Sequence, residues 1–304
     1  MIRNKYVFTA FLLVLILLAG AGFTILYVHH QETDEEDSTL TVVTSFYPMY
    51  IAAENVIGDC PDVTLENLSE PQTGCLHDYQ LTTEDMKLLS TADVFIINGG
   101  GIESFLTEVA EQYPDLVIVN ACEKLELLED NAHAWMSIEN YMVQVETICS
   151  GLSEADPDAA HSELYGQNAA DYLEKLEALE TGYADVFSEL NGRPVVLFHE
   201  AYEYLADDLG LHVVGLMDLD EERQVSAGEV ADILSVIEQQ QVSVIFAEEL
   251  YGKDMGDTVE AEADVSVIYL DTLTRGDYDP DSYLDGMREN LELIREAYEN
   301  IEVK

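Results

Sequence analysis

Three histidines and one aspartate occupy positions in the sequence that suit metal binding. Each lies at the end of an apolar, strand-like segment or in an adjoining loop, and they are His77, His133, His199 and Asp271. Open α/β sheets bind ligands in the crevice at the carboxyl ends of their strands, so we expect these side chains to converge. Three imidazoles and a carboxylate suit Zn²⁺ or a similar divalent cation. No local metal motif such as HExxH is present, so each histidine could also be a core or loop residue.

Other kinds of chemistry find little support in the residues. Asn98-Gly99-Gly100-Gly101 follows a strand-like segment, but it is neither GxGxxG nor a phosphate-binding loop. The chain has 62 acidic and only 12 basic residues, for a formal net charge of -50. Phosphate binding needs clustered Lys and Arg, so nucleic acid is excluded as a partner. Hydrophobic residues still make up 48% of the chain, which predicts a packed core.

Apolar strand-like runs alternate with helix-like stretches along most of the chain. The first block has predicted strands at Leu40–Phe46, Val63–Leu68, Val94–Ile97 and Leu116–Val119. The second block has predicted strands at Pro194–Phe198, His212–Leu216, Val242–Ala247 and Val265–Leu270. This alternation predicts, for each block, a parallel sheet flanked by helices.

One long helix is predicted between the two blocks. Apolar residues recur at three- and four-residue steps up to Leu190, and Asn191-Gly192 ends the pattern. The predicted fold class is therefore α/β, with two lobes that each hold a parallel sheet and are joined by this helix. The predicted segments are an N-terminal membrane segment with an acidic tether (1–39), a first lobe (40–155), the linking helix (156–192) and a second lobe (193–304).

The N-terminal segment predicts export. Two basic residues precede an uncharged run from Tyr6 to Val28, and acidic residues follow it. Crossing a bilayer takes about 20 apolar residues, and this charge distribution places the rest of the chain outside. Two alternatives remain, namely an uncleaved membrane anchor and a cleavable signal peptide that ends near Ala19-Gly20-Ala21. The first tethers the protein at the outer face of the cell membrane, and the second releases it to the periplasm.

The four cysteines all lie beyond the predicted export segment. An even number of cysteines in an exported chain suggests disulfides, and four cysteines allow three connectivities. The simplest one pairs Cys60 with Cys75 and Cys122 with Cys149. Closing the first of these loops would stabilise the fold by roughly 3 kcal/mol. The alternative is a set of free, buried thiols.

Seven segments follow one another in an order that is typical of a known family. They are TSFYPMY from Thr44, LHDYQLTTED from Leu76, NAHAWMS from Asn131, FHEAYEYLADDLGL from Phe198, IFAEELY from Ile245, YLDTL from Tyr269 and SYLDGMRENLELI from Ser282. They resemble the motifs of the zinc and manganese ABC-transporter solute-binding proteins of the ZnuA/TroA type. The resemblance spans about Leu40 to Ala297, and it implies two α/β lobes with the metal between them.

This resemblance implies a ligand set. Carried over motif by motif, His77 and His133 bind the metal from the first lobe, and His199 and Asp271 bind it from the second. Glu248 is expected beside the ligands and not among them. Relatives that prefer zinc have a histidine at the position of His199, whereas relatives that prefer manganese have a carboxylate there. The resemblance therefore favours Zn²⁺, with Mn²⁺ as the alternative.

The resemblance also implies a binding protein without catalytic residues. Such a monomer would capture the ion outside the membrane and deliver it to the permease of an ABC importer. Two other functions remain open. One is a surface adhesin or scaffold in which the metal is structural, and the other is a zinc hydrolase, which the absence of GxSxG and of an acid–base pair at motif spacing disfavours.

Overall fold

The chain folds around two parallel sheets of four strands each, in a computed structural model that describes residues 39–70, 76, 79–129, 131–219 and 225–302. The first sheet consists of β1 (Leu40–Thr44), β2 (Val63–Asn67), β3 (Val94–Ile97) and β4 (Val117–Asn120). The second consists of β5 (Pro194–Leu197), β6 (His212–Leu216), β7 (Val244–Ala247) and β8 (Ser266–Tyr269). The predicted α/β fold class is confirmed.

The two sheets have the same strand order. The first runs β2-β1-β3-β4 and the second β6-β5-β7-β8, and every pairing is parallel. The order reverses beside the first strand of each sheet, and open α/β sheets bind ligands at such a switch point. In the second sheet the switch point lies between the carboxyl ends of β5 and β7, where His199 and Glu248 follow the strands.

Helices flank the sheets. They are α1 (Tyr47–Ile57), α2 (Thr83–Leu89), α3 (Leu106–Gln112), α4 (Ile138–Ala155), α5 (Ala159–Gly182), α6 (Ala184–Leu190), α7 (Tyr202–Asp208), α8 (Ala227–Gln240), α9 (Glu249–Glu262) and α10 (Ser282–Glu302). Two of these helices begin with a capping box, which is formed by Thr82 and Asp85 in α2 and by Ser226 and Glu229 in α8. No helix in the described part of the chain has the length and apolar character needed to cross a membrane. The predicted N-terminal export segment lies outside the described residues.

The linking region consists of two helices where the sequence pattern predicts one. α5 ends at Gly182, the backbone of Tyr183 turns away from the helix with φ −116°, and α6 begins at Ala184. The 24 residues of α5 span about 36 Å at 1.5 Å per residue. Val186 and Leu190 of α6 are buried, as is Tyr183. The apolar periodicity therefore continues through the break and does not reveal it.

One hydrophobic core runs through both sheets. It includes Phe95 of β3, Tyr172 of α5 and Phe246 of β7. A smaller cluster packs α8 and α9 against the second sheet. Residues Leu40–Lys304 form one compact unit, and the lobe boundaries predicted within it stay predictions.

The predicted disulfides are wrong for the cysteines that the structure describes. Cys60, Cys122 and Cys149 are free thiols. Cys122 is buried, and its Sγ accepts a 3.2 Å hydrogen bond from Nε2 of Gln144. It is packed as a small apolar side chain and not as half of a covalent bridge. Cys75, the predicted partner of Cys60, lies outside the described residues.

Candidate metal centre

His133 lies at the start of a short 3-10 turn (Ala134–Met136) after β4, and its side chain is completely buried. Oδ1 of Asn131 accepts a 2.9 Å hydrogen bond from the backbone N–H of His133 and lies 2.9 Å from its Nδ1. The other end of the amide, Nδ2, donates to the carbonyl of Glu200 and to Oε2 of Glu203. With the amide in this orientation, Nδ1 of the neutral imidazole carries the proton, and Nε2 keeps the lone pair that a metal needs.

His199 follows β5 at the carboxyl end of the second sheet and is only 1% exposed. Its Nδ1 lies 3.4 Å from Oε2 of Glu248, and within the described part of the chain its Nε2 has no hydrogen-bond partner. A buried polar group without a partner is unfavourable by about 1–3 kcal/mol. A metal ion that accepts a nitrogen lone pair would relieve this, so the surroundings of His199 fit a metal site.

The two imidazoles lie side by side. The ring centroids of His133 and His199 are 5.2 Å apart, and the ring planes make an angle of 80°. When an imidazole binds zinc at about 2.0–2.1 Å, its centroid lies about 3.2 Å from the ion, so two imidazoles at a tetrahedral angle have centroids about 5 Å apart. The observed separation therefore fits two ligands of one ion.

Glu248 connects His199 to an arginine. Its Oε2 lies 3.4 Å from Nδ1 of His199, and its Oε1 accepts a 2.8 Å hydrogen bond from Nη1 of Arg275. Burial alone would raise the pKa of Glu248, but the contacts with His199 and Arg275 outweigh burial, and the pKa is lowered. Glu248 is therefore ionised at neutral pH.

Asp271 follows β8, and its backbone is fixed by α10. Asn290 accepts a hydrogen bond from the N–H of Asp271 and donates one to its carbonyl, both at 2.8 Å. Asp271 as a whole is exposed, but it lines a pocket. Desolvation of its carboxyl group there raises its pKa. The N–H of Leu273 opposes this shift and the charge of Glu248 adds to it, so the net pKa is raised. A bound cation would favour the ionised form.

Two aromatic side chains hold the backbone on either side of Asp271. Nε1 of Trp135 donates a 2.9 Å hydrogen bond to the carbonyl of Thr272. The hydroxyl of Tyr202 donates a 2.6 Å hydrogen bond to the carbonyl of Leu270. The ring centroid of Trp135 lies 5.1 Å from that of His133, and the ring centroid of Tyr202 lies 6.0 Å from that of His199. The segment that carries Asp271 is thus tied to both histidine loops.

The structure places only part of the predicted ligand set together. His133 and His199 are neighbours, and Asp271 stands on the strand end that is tied to both. Among the described residues, no three His, Cys, Asp or Glu side chains lie close enough to hold a metal ion together. His77 lies outside the described residues, so the full ligand set stays a prediction.

Three residues around the histidines are not identifiable as site residues from spacing alone: Asn131, Trp135 and Arg275. Metal-binding histidines usually donate their second N–H to a nearby acceptor, and this rule could have drawn attention to Asn131. Arg275 meets Glu248 only through the fold, and no spacing in the sequence relates the two.

These features define an α/β protein with two parallel sheets and a buried pair of histidines, an arrangement that suits metal binding. Residues 42–297 match the family model described as zinc-uptake complex component A, periplasmic. Because this match covers most of the chain, the protein belongs to that family of ABC-transporter solute-binding proteins, and the resemblance inferred from the motifs is confirmed.

Metal-binding relatives match most of the chain. It is 28% identical to the manganese-binding lipoprotein MntA of Halalkalibacterium halodurans, over 95% of the chain and 97% of that protein. It is 26% identical to the high-affinity zinc uptake system protein ZnuA of Bacillus subtilis, over 87% of the chain and 89% of that protein. The structure of FpvC from Pseudomonas aeruginosa with Mn²⁺ has a TM-score of 0.75 and 28% identity, over 86% of this chain and 98% of FpvC. The family thus includes zinc and manganese binders and is extracytoplasmic.

Proposed function

We propose that this protein captures a divalent metal ion outside the cytoplasmic membrane, Zn²⁺ in preference to Mn²⁺, and delivers it to the permease of an ABC importer. The observation that carries the proposal is the pair of buried imidazoles at a separation suited to one ion. Family membership supports the transport role. The protein binds and releases its cargo and catalyses no reaction, and the relatives named above support neither the adhesin nor the hydrolase alternative.

The proposed ligands are His77, His133, His199 and Asp271, with Glu248 beside them. Three imidazoles and one carboxylate would complete the four-coordinate shell that zinc prefers. Imidazole nitrogen suits zinc, whereas manganese favours sites rich in carboxylate oxygen. The imidazoles must be unprotonated to bind, so we expect metal affinity to fall below about pH 6.5.

Contacts between the segment after Asp271 and the first half of the chain limit how the ion leaves. The hydroxyl of Tyr47 donates a 2.5 Å hydrogen bond to the carbonyl of Asp277, and the rings of Tyr50 and Tyr278 lie 4.1 Å apart. A wide opening of the two halves would break these contacts. Release is therefore expected through small shifts, and scattering should show little compaction when zinc binds.

A metal competition titration on the full chain, in a mild detergent and after chelator stripping, tests the binding part of the proposal. We expect one-to-one zinc binding by an already folded apo protein and a loss of at least about 10-fold in affinity in His133→Ala and His199→Ala. His212→Ala is the matched control, because this histidine is exposed at the start of β6. Failure to bind zinc, or unfolding on stripping, contradicts the proposal.

Delivery needs a separate experiment. Cells that lack the gene should take up zinc poorly at low external zinc, and the wild-type chain should restore uptake. The His199→Ala variant should not restore it, whereas His212→Ala should. Uptake that is independent of the chain would contradict the transport role while leaving metal binding intact.

A further inference from the structure

A buried ion pair stands beside the proposed metal centre. Glu248 is 7% exposed, and its Oε1 is held at 2.8 Å by Nη1 of Arg275. Arg275 lies in the loop that begins with Asp271, so one loop carries both a proposed ligand and the partner of Glu248. A buried carboxylate is strongly unfavourable unless a cation compensates its charge. In this protein a guanidinium compensates it.

The position of Glu248 would also suit a metal ligand. The residue follows β7, which lies between β5 and β8, the strands that lead to His199 and Asp271. Oε2 of Glu248 lies 3.4 Å from Nδ1 of His199. A carboxylate this close to a proposed ligand would add a second acidic ligand to the site if it turned toward the ion.

Arg275 opposes that movement in two ways. Its hydrogen bond occupies Oε1, so the Glu248 carboxylate cannot chelate an ion through both oxygens. Its positive charge also repels a second cation next to the same carboxylate. With Arg275 in place, the shell keeps one carboxylate, Asp271, among imidazoles, which suits zinc. Without it, two carboxylates would face the ion, which suits the harder Mn²⁺.

We propose that Arg275 sets the metal preference of this site by keeping Glu248 out of the coordination shell. The inference rests on the proposed function, because it concerns the same ion. It assigns a selectivity role to Arg275 through its ion pair with Glu248.

The test compares zinc and manganese affinities of the full chain by chelator competition in the wild type and in Arg275→Met, Arg275→Lys and Arg275→Met/Glu248→Gln. We expect Arg275→Met to shift the ratio of the two affinities toward manganese by about 10-fold. Arg275→Lys retains the charge and should stay near the wild-type ratio. The double variant should return to it, because the second carboxylate is gone. Arg193→Met, which removes a guanidinium stacked on Tyr298, is the matched control.

A spectroscopic reading separates a selectivity role from a structural one. Co²⁺ in a four-coordinate site absorbs visible light more strongly than Co²⁺ with additional ligands. Arg275→Met should therefore weaken the cobalt absorption, and the double variant should restore it. A general loss of structure would lower the affinity for both metals without this reversal.

The outcomes distinguish the two proposals. An unchanged zinc-to-manganese ratio in a folded Arg275→Met variant overturns the role of Arg275, while a wild type that binds neither metal contradicts the proposed function itself. If Arg275→Met does not fold, Glu248→Gln alone decides. The proposal expects that variant to lower both affinities in proportion. A selective loss of manganese affinity would show that Glu248 already coordinates the ion, and would overturn the proposal.

Discussion

The indole nitrogen of Trp135 donates a 2.9 Å hydrogen bond to the carbonyl oxygen of Thr272. The indole is completely buried. Trp135 lies two positions after His133, and Thr272 directly follows Asp271. The bond therefore links the neighbourhoods of two proposed ligands, His133 and Asp271, that come from different halves of the chain. The backbone around Asp271 is therefore fixed relative to the histidine loop by the fold itself.

Trp135→Phe should weaken metal binding as well as the fold. The substitution keeps an aromatic ring but leaves the Thr272 carbonyl without its donor, so we expect the free energy of unfolding to fall by about 1–3 kcal/mol. Because Asp271 is then held less firmly, zinc affinity should fall by about 10-fold. Urea unfolding and zinc titration measure the two effects. Tyr113→Phe is the control, because it removes a hydrogen bond to the Met86 carbonyl and should lower only the stability. An unchanged zinc affinity in Trp135→Phe would show that the indole is merely structural.

Asn131→Ala should lower zinc affinity by about 10- to 100-fold. The variant loses the acceptor that orients His133 and the donor that reaches the Glu200 carbonyl beside His199. The matched control is Asn168→Ala, whose amide donates to the carbonyls of Val56 and Ile57. Titration of both variants should separate them clearly. Equal zinc affinities in the two would refute the orienting role of Asn131.

The thiols should react with alkylating reagents in a fixed order. Burial raises the pKa of Cys122 to about 12, and the thiolate is the reactive form, so this residue should be inert in the native state. Cys149 is only half-buried and should react before Cys122. Iodoacetamide labelling followed by peptide mass spectrometry measures the order, with the urea-unfolded chain as the control in which both react. A peptide that contains a bridge between Cys122 and Cys149 would contradict the structure.

A buried acidic group closes the turn between α4 and α5. Oδ2 of Asp156 lies 2.9 Å from Nδ1 of His161 and accepts a 2.7 Å hydrogen bond from the hydroxyl of Tyr165. Burial alone would raise the pKa of Asp156, but hydrogen bonds from the Asp158 N–H, Tyr165 and His161 outweigh it and lower the pKa. A carboxylate with a lowered folded pKa stabilises the fold above its unfolded value of about 3.9. That contribution disappears as the pH falls through the folded pKa.

Asp156→Asn should therefore destabilise the protein in a manner that depends on pH. We expect the free energy of unfolding to fall by about 2 kcal/mol at about pH 7 and by less at about pH 3, where the wild type has lost the same contribution. Urea titrations at both pH values measure the difference. Asp115→Asn, at an exposed position before β4, serves as the control. An equal loss at both pH values would mean that ionisation of Asp156 does not stabilise the turn.

Much of the fold is readable from the sequence because the strands at the centre of each sheet are short and buried. Segments such as β3 and β7 are uninterrupted apolar runs, which parallel sheets require. The break at Tyr183 is not readable, since the residues on both sides of it continue the same apolar pattern. The disulfides fail for a related reason, because cysteine spacing does not distinguish a pairing thiol from one that fills a core, as Cys122 does.

Some residues of the candidate site could also be predicted from the sequence, and others could not. His133 and His199 could be placed near each other from the rule that ligands gather at the carboxyl ends of parallel strands. No comparable rule places residues that act through a ligand when they come from a distant loop. Arg275 and Trp135 reach the site through tertiary contacts, and their roles depend on distances that spacing along the chain does not encode.

X-ray diffraction from crystals of the zinc-loaded protein, collected at the zinc absorption edge, would show whether His133 and His199 bind the same ion. We expect one anomalous peak, about 2.0–2.1 Å from nitrogens of His133 and His199, with His77 and Asp271 completing the shell and Glu248 still paired with Arg275. A zinc ion bound elsewhere, or one bound without either His133 or His199, would contradict this expectation.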